Sequence, residues 1–220
     1  MFVKFLMKAD PTCGTPDMAA IEVQELMEKE SIRHLPIVDE EKNLVGLITK
    51  SSLKSALPSD VSQFSRFEIS YTLSKIRVDS IMVKDVVTIE EEVPIEHAAW
   101  LMADRKIGTL PVVSEGKLSG IISDSDIFIA MTSLLGAYES GIRVTVLQPD
   151  KSGVVAHLTN AIYEAGGYLS VCVGYYPKNL ENKWISVCKI QNLDQKQIED
   201  IIDSLEEASI LDIRKFQEHE

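Results

Sequence analysis

Ile32-Arg33-His34-Leu35-Pro36-Ile37-Val38 returns further along the chain as Ile107-Gly108-Thr109-Leu110-Pro111-Val112-Val113. The stretch after it, Leu44-Val45-Gly46-Leu47-Ile48-Thr49, returns as Leu118-Ser119-Gly120-Ile121-Ile122-Ser123. Pro36 and Pro111 stand 75 positions apart, Gly46 and Gly120 stand 74 apart, so the second copy has lost one residue in the turn between. A repeat of this length means two copies of one supersecondary unit, each too small to bury its apolar face alone. Two such units facing each other enclose a cleft on a pseudo-two-fold axis, and that cleft is where a ligand site is expected.

Working outward, each copy reads strand–helix–strand–strand–helix. In the second, Asp85 to Ile89 is a short β-rich run, and Pro94 sits where a helix begins, a position at which its missing N–H costs nothing. Ile95, Ala98, Ala99 and Met102 then fall at i, i+3, i+4 and i+7, one buried helical stripe. Ala20, Val23 and Met27 hold the matching places in the first copy, with Gln24 where Ala99 would be. Polar turns, Asp39 to Asn43 and Ser114 to Lys117, separate β-branched runs and predict a hairpin in each copy. Pro36 and Pro111 are expected to end strand pairing at the cleft edge. Between the copies, Pro58 to Lys75 is too apolar for a loose linker and predicts a helix packed on the pair.

A third unit begins near Gly141. Ile142 to Leu147 alternates as a strand, and Gln148 to Gly153 breaks it. Val155, Leu158 and Ile162 mark a helix that ends at Gly166-Gly167. Leu169 to Tyr175 and Trp184 to Ile190 follow as strands. Asp194 with Gln197 forms a capping box for a helix carrying Ile198, Ile201, Ile202 and Leu205 inward. Ile210 to Phe216 closes the unit. The order β-α-β-β-α-β is the ferredoxin-like split pattern. The chain is thus a mixed α/β (α+β) protein, divided as repeat 1 over 1–57, a helical connector over 58–76, repeat 2 over 77–136 and a terminal domain over 141–220.

Bulk properties narrow the function. The chain of 220 residues carries a formal net charge of −12, which opposes binding to the phosphate backbone of nucleic acid and to anionic membrane surfaces. The longest uncharged apolar run, about Ile127 to Ala137, is too short to span roughly 30 Å of hydrocarbon. The first eight residues lack the long apolar core and cleavage site of a signal peptide. Cys13, Cys172 and Cys188 form no C-x-x-C pair, which fits a reducing cytoplasm and no zinc site. Cys172 and Cys188 could face each other on neighbouring strands, where two buried thiols are expected rather than a redox pair. His157 with either cysteine could be drawn as base and nucleophile, but these residues lie in a helix stripe and in strand patterns. No nucleophile elbow, His-Glu-x-x-His or Walker loop is present, so no catalytic residues and no metal ligands are assigned.

The doubled half, with its two x-Leu-Pro-hydrophobic-Val strands and following Gly-x-x-Ser/Thr segments, resembles a tandem pair of CBS domains. The terminal unit, with Asp150-Lys151-Ser152-Gly153 and the Gly166-Gly167 helix exit, resembles an ACT domain. Their order, together with Ser65 to Lys75, is similar to the AcuB-type acetoin-utilisation group. The resemblance implies an adenosine ligand (AMP, ADP, ATP or S-adenosylmethionine) in the cleft and no covalent cofactor. The family motif Gly-h-x-Ser/Thr-x-x-Asp is complete in Gly120-Ile121-Ile122-Ser123-Asp124-Ser125-Asp126. Asp126 would hold the ribose hydroxyls, and Ser123 would donate to a phosphate near a helix N-terminus. Val87 and Thr88 would offer backbone to the adenine, Thr109 and Pro111 would line the facing wall, and Arg33 and His34 could serve a phosphate from across the axis. The first copy has Ser52 in place of the aspartate, and a serine cannot stand in for a carboxylate accepting two hydrogen bonds, so one competent site per chain is expected. A Ser-x-x-Asp pair also serves as a plain helix cap, and Asp124 could cap the same helix.

In the terminal unit the resemblance implies amino-acid binding around Asp150, Ser152 and Gly153. The alternative is pairing alone, through a flat face of Val171, Val173, Val187 and Ile190. The expected protein is a cytoplasmic, non-catalytic, homodimeric regulator that senses adenine nucleotides and passes the state to an as yet undefined regulated protein. The other readings are a scaffold, or an amino-acid sensor acting through the ACT-like domain.

Overall fold

The computed structural model describes residues 1–56 and 66–216. They fall into two compact units, Met1–Phe128 and Ile129–Glu220. The first unit starts with a 3-10 turn (Val3–Phe5), β1 (Lys8–Ala9), α1 (Ala20–Lys29), β2 (His34–Val38) and β3 (Leu44–Thr49). It continues through α2 (Lys50–Ser55), α3 (Arg66–Lys75), a second 3-10 turn (Val78–Ser80), β4 (Ile89–Glu90) and α4 (Ile95–Arg105). β5 (Thr109–Ser114), β6 (Lys117–Ser123) and α5 (Asp124–Leu134) follow, the last six residues of α5 belonging to the second unit by chain position.

The repeat is visible in how its helices stop. α1 and α4 both turn off through a non-glycine residue in the left-handed region, Ser31 at φ +54° and Lys106 at φ +55°. The next N–H then reaches back, Ile32 to Met27 O and Ile107 to Met102 O, each at 3.0 Å. That bond satisfies one of the helix's last carbonyls and swings an isoleucine onto the core. The inner faces are those the periodicity predicts. Ala20, Val23 and Met27 are buried on α1, and Ile95, Ala98 and Met102 on α4, whereas Ala99 is only half-buried.

Each hairpin forms as expected. β2 pairs β3 with Leu35 opposite Ile48, and β5 pairs β6 with Leu110 opposite Ile122. The first turn is held by Asp39 Oδ1, which accepts from the N–H groups of Glu41 and Asn43. The second is tighter, with Glu115 and Gly116 both at positive φ, the geometry that matches strand twist in two-residue hairpins. The prolines differ from expectation. Pro36 and Pro111 lie inside the ladders, opposite Leu47 and Ile121. Pro36 O points away from β3 and accepts from Gly14 N. A residue's N and C=O share one side of a strand, so the missing N–H faces Gly14 and the hairpin loses no bond. The run from Asp85 likewise gives only a two-residue strand, so Val87 and Thr88 lie just before β4.

The segment in front of each repeat packs on the other one. Val3 is fully buried in a cluster with Ile89, Ala98, Leu110, Val112 and Ile122. β1 pairs with β6, Lys8 opposite Ile121 and Ala9 opposite Gly120. The reciprocal segment puts Val78 into the cluster of Val23, Leu35, Ile37 and Ile48, and Val83 bridges Leu47. Met7 and Met82, 75 positions apart, cover Gly120 and Gly46 so closely that a Cβ there would meet the methionine side chain. Of the predicted connector helix, 66–75 is helical, with Leu73 buried against the first repeat's core. The rest of that expectation lies outside the described residues.

The second unit runs β7 (Gly141–Pro149), α6 (Val154–Glu164), β8 (Tyr168–Tyr175), β9 (Lys183–Gln191), α7 (Gln195–Asp203) and β10 (Ser209–Phe216). Its sheet is ordered β10-β7-β9-β8 and is antiparallel throughout. This is the ferredoxin-like arrangement. Ile142, Val144, Val146, Cys188 and Ile190 meet Leu158, Ile162, Ile198 and Ile202 of the helices. α7 carries the reciprocal capping box, with Gln197 N donating to Asp194 Oδ1 and Asp194 N to Gln197 Oε1. One expectation is corrected by the pleat. Val171, Val173 and Val187 share the face turned from the helices, but Ile190 alternates to the other side and is fully buried in the core. A second correction concerns the thiols: Cys188 is buried, whereas Cys172, on edge strand β8, is exposed.

Candidate functional site

Ser123 ends β6 and Asp126 lies in the first turn of α5, so the strand-to-helix junction itself brings them together. Asp126 Oδ2 accepts from Ser123 N at 2.7 Å and from Ser123 Oγ at 2.6 Å. Asp126 N in turn lies 3.4 Å from Ser123 Oγ. This closes a capping box that fixes the carboxylate at a helix N-terminus, where the aligned peptide dipoles favour negative charge. Asp126 Oδ1 has no hydrogen-bond partner among the described residues, and the side chain is half-buried. Oδ1 is therefore an oriented acceptor. The serine hydroxyl already donates to Asp126, so a phosphate would have to displace that bond.

The first repeat builds the same junction without the charge. Ser52 N donates to Thr49 Oγ1, Thr49 N donates to Ser52 Oγ, and Ser52 Oγ donates back to Thr49 O. Ser52 has spent its one hydroxyl proton and accepts a backbone bond, so it presents no oriented anion.

His34 and Thr109 occupy the same position in the two repeats and touch, Nδ1 to Oγ1 at 2.9 Å. Equivalent residues in contact mark the pseudo-two-fold axis. Thr109 Oγ1 also donates to Gly108 O at 2.7 Å, so its proton is committed and Nδ1 of His34 is the donor between them. The imidazole keeps Nε2 as an acceptor. One residue before, the copies differ: Arg33 faces Asp124 with Nη2 3.6 Å from Oδ1, and its counterpart is Gly108. A Cβ at Gly108 would lie 3.0 Å from Asp124 Oδ2, so the glycine leaves room for that carboxylate. The Arg33–Asp124 pair is exposed and adds little stability, but it holds the guanidinium beside the axis. Asp124 as a partner for Arg33 has no local sequence signal, since their meeting depends on how the repeats face each other.

Burial holds the His34 imidazole below its ordinary value, the Arg33 charge acts in the same direction, and Asp124 opposes both. A histidine whose folded value is depressed contributes stability above its unfolded value, near 6.5. That contribution is lost as pH falls through the folded value, because the unfolded chain then binds more protons. Melting temperature should accordingly rise with pH between about 5 and 7, and His34→Asn should flatten that rise. Asp124→Asn, which removes the opposing charge, should steepen it. A wild-type profile flat over this range contradicts the assignment.

Of the remaining predicted residues, Val87 and Thr88 are half-buried and Pro111 is buried in β5. In the second unit Asp150, Ser152 and Gly153 are exposed, with Gly153 at φ +84° before α6. A cavity of about 140 Å³ beside them is lined by Ser152 with Gln148, Val154, His157, Leu205 and Glu206. Asp150 and Gly153 are not among its walls. Among the described residues no cluster of three or more His, Cys, Asp or Glu side chains is placed to hold a metal, and no helix is long and apolar enough to cross a membrane.

The family model described as the CBS domain matches residues 3–59 and 78–133. A crystal structure assigned to an acetoin utilization protein (AcuB) from Vibrio cholerae is 30% identical, covering 63% of this chain and 98% of that one, with a TM-score of 0.52. The CBS domain pair of protein MJ0100, solved in complex with 5′-methylthioadenosine and S-adenosyl-L-methionine, is 28% identical over 60% of this chain and 97% of that one, with a TM-score of 0.51. Among curated relatives, an L-aspartate semialdehyde sulfurtransferase of Methanocaldococcus jannaschii is 30% identical over 126 residues. The match takes in 57% of this chain and 22% of that protein, so the likeness reaches about a fifth of the relative's length.

Proposed function

The chain belongs to the CBS-domain family, and on that premise we propose that its paired repeats are a non-catalytic regulatory module taking one adenosine-containing ligand at the second repeat. The observation that carries this reading is the Asp126 carboxylate, pinned through Oδ2 to both donors of Ser123 with Oδ1 left to accept from a ribose hydroxyl. Support comes from the related CBS pair crystallised with S-adenosyl-L-methionine and 5′-methylthioadenosine. Val87, Thr88, Thr109 and Pro111 supply the adenine walls in this reading. Arg33 beside the axis supplies positive charge to a phosphate of AMP, ADP or ATP, and His34 joins it as a donor once Nε2 takes up a proton.

The ligand acts by linkage. It moves the equilibrium between two arrangements of the repeats only by its difference in affinity for them. A homodimer of a cytoplasmic protein carries the shift to a regulated partner, with acetoin utilisation one setting, as the AcuB likeness suggests. The terminal unit is read as an ACT-type domain on the strength of its strand order.

Thermal melts with AMP, ADP, ATP and S-adenosylmethionine test the reading. A ligand that binds the folded state alone, at a hundredfold excess over its Kd, adds about 2.7 kcal/mol. For a chain of this size that raises the melting temperature by roughly 2–4 °C per kcal/mol. No shift with any of the four overturns the proposal and leaves a scaffold as the better account.

A further inference from the structure

Cys172 and Cys188 stand directly opposite each other on antiparallel strands β8 and β9. Their sulfurs are 3.8 Å apart. Cys172 lies exposed on the edge strand, whereas Cys188 is fully buried. Directly opposed residues of an antiparallel pair have Cα atoms about 4.5–5.5 Å apart, within the roughly 4.4–6.8 Å that a disulfide tolerates. The sulfurs need only close to about 2.05 Å by side-chain rotation. The third cysteine, Cys13, lies in the first unit, so it is an internal control.

We propose that Cys172 and Cys188 are a reversible oxidation site, in which Cys172 reacts with a hydroperoxide and Cys188 captures it as a cross-strand disulfide. The exposed sulfur is the one a peroxide reaches, and its environment favours the thiolate. The Cys188 S–H donates to it and holds the Cys172 thiol down at about 7, whereas that donation together with burial pushes the Cys188 thiol up. The thiolate, not the thiol, is the nucleophile. In the first step the Cys172 sulfur attacks a peroxide oxygen and the O–O bond breaks. Cys172 becomes a sulfenic acid, and the other oxygen leaves as water or an alcohol after taking a proton. In the second step the Cys188 sulfur attacks the Cys172 sulfur. The S–O bond breaks, and the hydroxide departs as water with the Cys188 proton. Two thiols have lost two electrons and one peroxide bond has gained them. An exposed cross-strand disulfide belongs to the labile class that small thiols reduce, so the step reverses.

Treating the full chain with hydrogen peroxide should lower the count of free thiols, measured after denaturation, from three to one. Peptide mapping should find Cys172 joined to Cys188 within one chain, lighter by two hydrogens, and dithiothreitol should restore all three thiols. Cys172→Ser should keep both remaining thiols under the same treatment. Cys188→Ala should form an oxygenated Cys172 with no intrachain link, and more slowly, because the donor that holds the Cys172 thiol down is gone. The proposal is overturned if the wild-type protein keeps three thiols. It is equally overturned if Cys172 accumulates sulfinic acid beside a free Cys188, or if the link forms between chains.

Discussion

Asp126→Asn is expected to leave the unliganded protein folded and to remove most of its stabilisation by the adenosine ligand. The asparagine carbonyl can take over both bonds that Oδ2 now accepts from Ser123, at 2.7 and 2.6 Å. What changes is the other end. An NH₂ group then stands where Oδ1 stood, and it offers protons to a ribose hydroxyl that needs an acceptor. A hydrogen bond to a charged group contributes about 1.5–3 kcal/mol, and each 1.4 kcal/mol is tenfold in affinity. The expected loss is about 10- to 100-fold in Kd, read by calorimetry and by the vanishing thermal shift. Asp126→Ala separates the two duties of this side chain. It should lose the ligand response and also lower the unliganded melting temperature, because a lost cap costs about 0.5–2 kcal/mol. An asparagine variant that binds as tightly as the wild type would place the ribose elsewhere.

The Ser123–Asp126 contact was legible because its spacing carries its geometry. Ser123 and Asp126 are one helical turn apart at a strand end, and no long-range contact is needed to bring them together. The hairpins were legible for the same reason: β-branched runs around Asp39–Asn43 and Ser114–Lys117 leave little else to form. The errors arise where the answer depends on what lies beside an element. Pro36 reads as an edge signal until Gly14 is seen on its far side. Cys172 opposite Cys188 follows from strand order, but its exposure follows from β8 being the last strand of the sheet. The meeting of His34 with Thr109 is implied by their separation of 75, the repeat offset itself, once the two copies are placed about an axis. Val3 with Val78 and Met7 with Met82 share the same offset. The valines escape notice because a 3-10 turn of three residues has neither the strand's period of two nor the helix's 3.6, and the methionines because they lie in the bends just after those turns.

The exchange of those turns makes the second large effect. Val3→Asp should unfold the second repeat first, although residue 3 precedes the first repeat in the chain. Val3 has no exposed surface and sits among Leu110, Val112 and Ile122, so the variant places an unpaired carboxylate in an apolar core. The group costs several kcal/mol whether it stays charged or takes up a proton. Loss of the buried valine adds roughly 1.5–3 kcal/mol. The turn also anchors Val3 N to Val93 O, Lys4 N to Glu91 O and Met1 O to Ile95 N, and it feeds the β1–β6 pairing over Gly120. Against a total stability of about 5–15 kcal/mol for an ordinary domain, this is enough to open the affected half. Amide hydrogen exchange distinguishes the cores, since local opening reports where stability was lost. Protection should fall in Thr109–Ser123 and α4 before it falls in His34–Thr49, and the ligand response should fall with it because Ser123 and Asp126 sit at the end of β6. Val78→Asp should reverse the order, exposing β2 and β3 first. Loss of protection confined to β2 and β3 in Val3→Asp would show that each leading segment serves its own repeat.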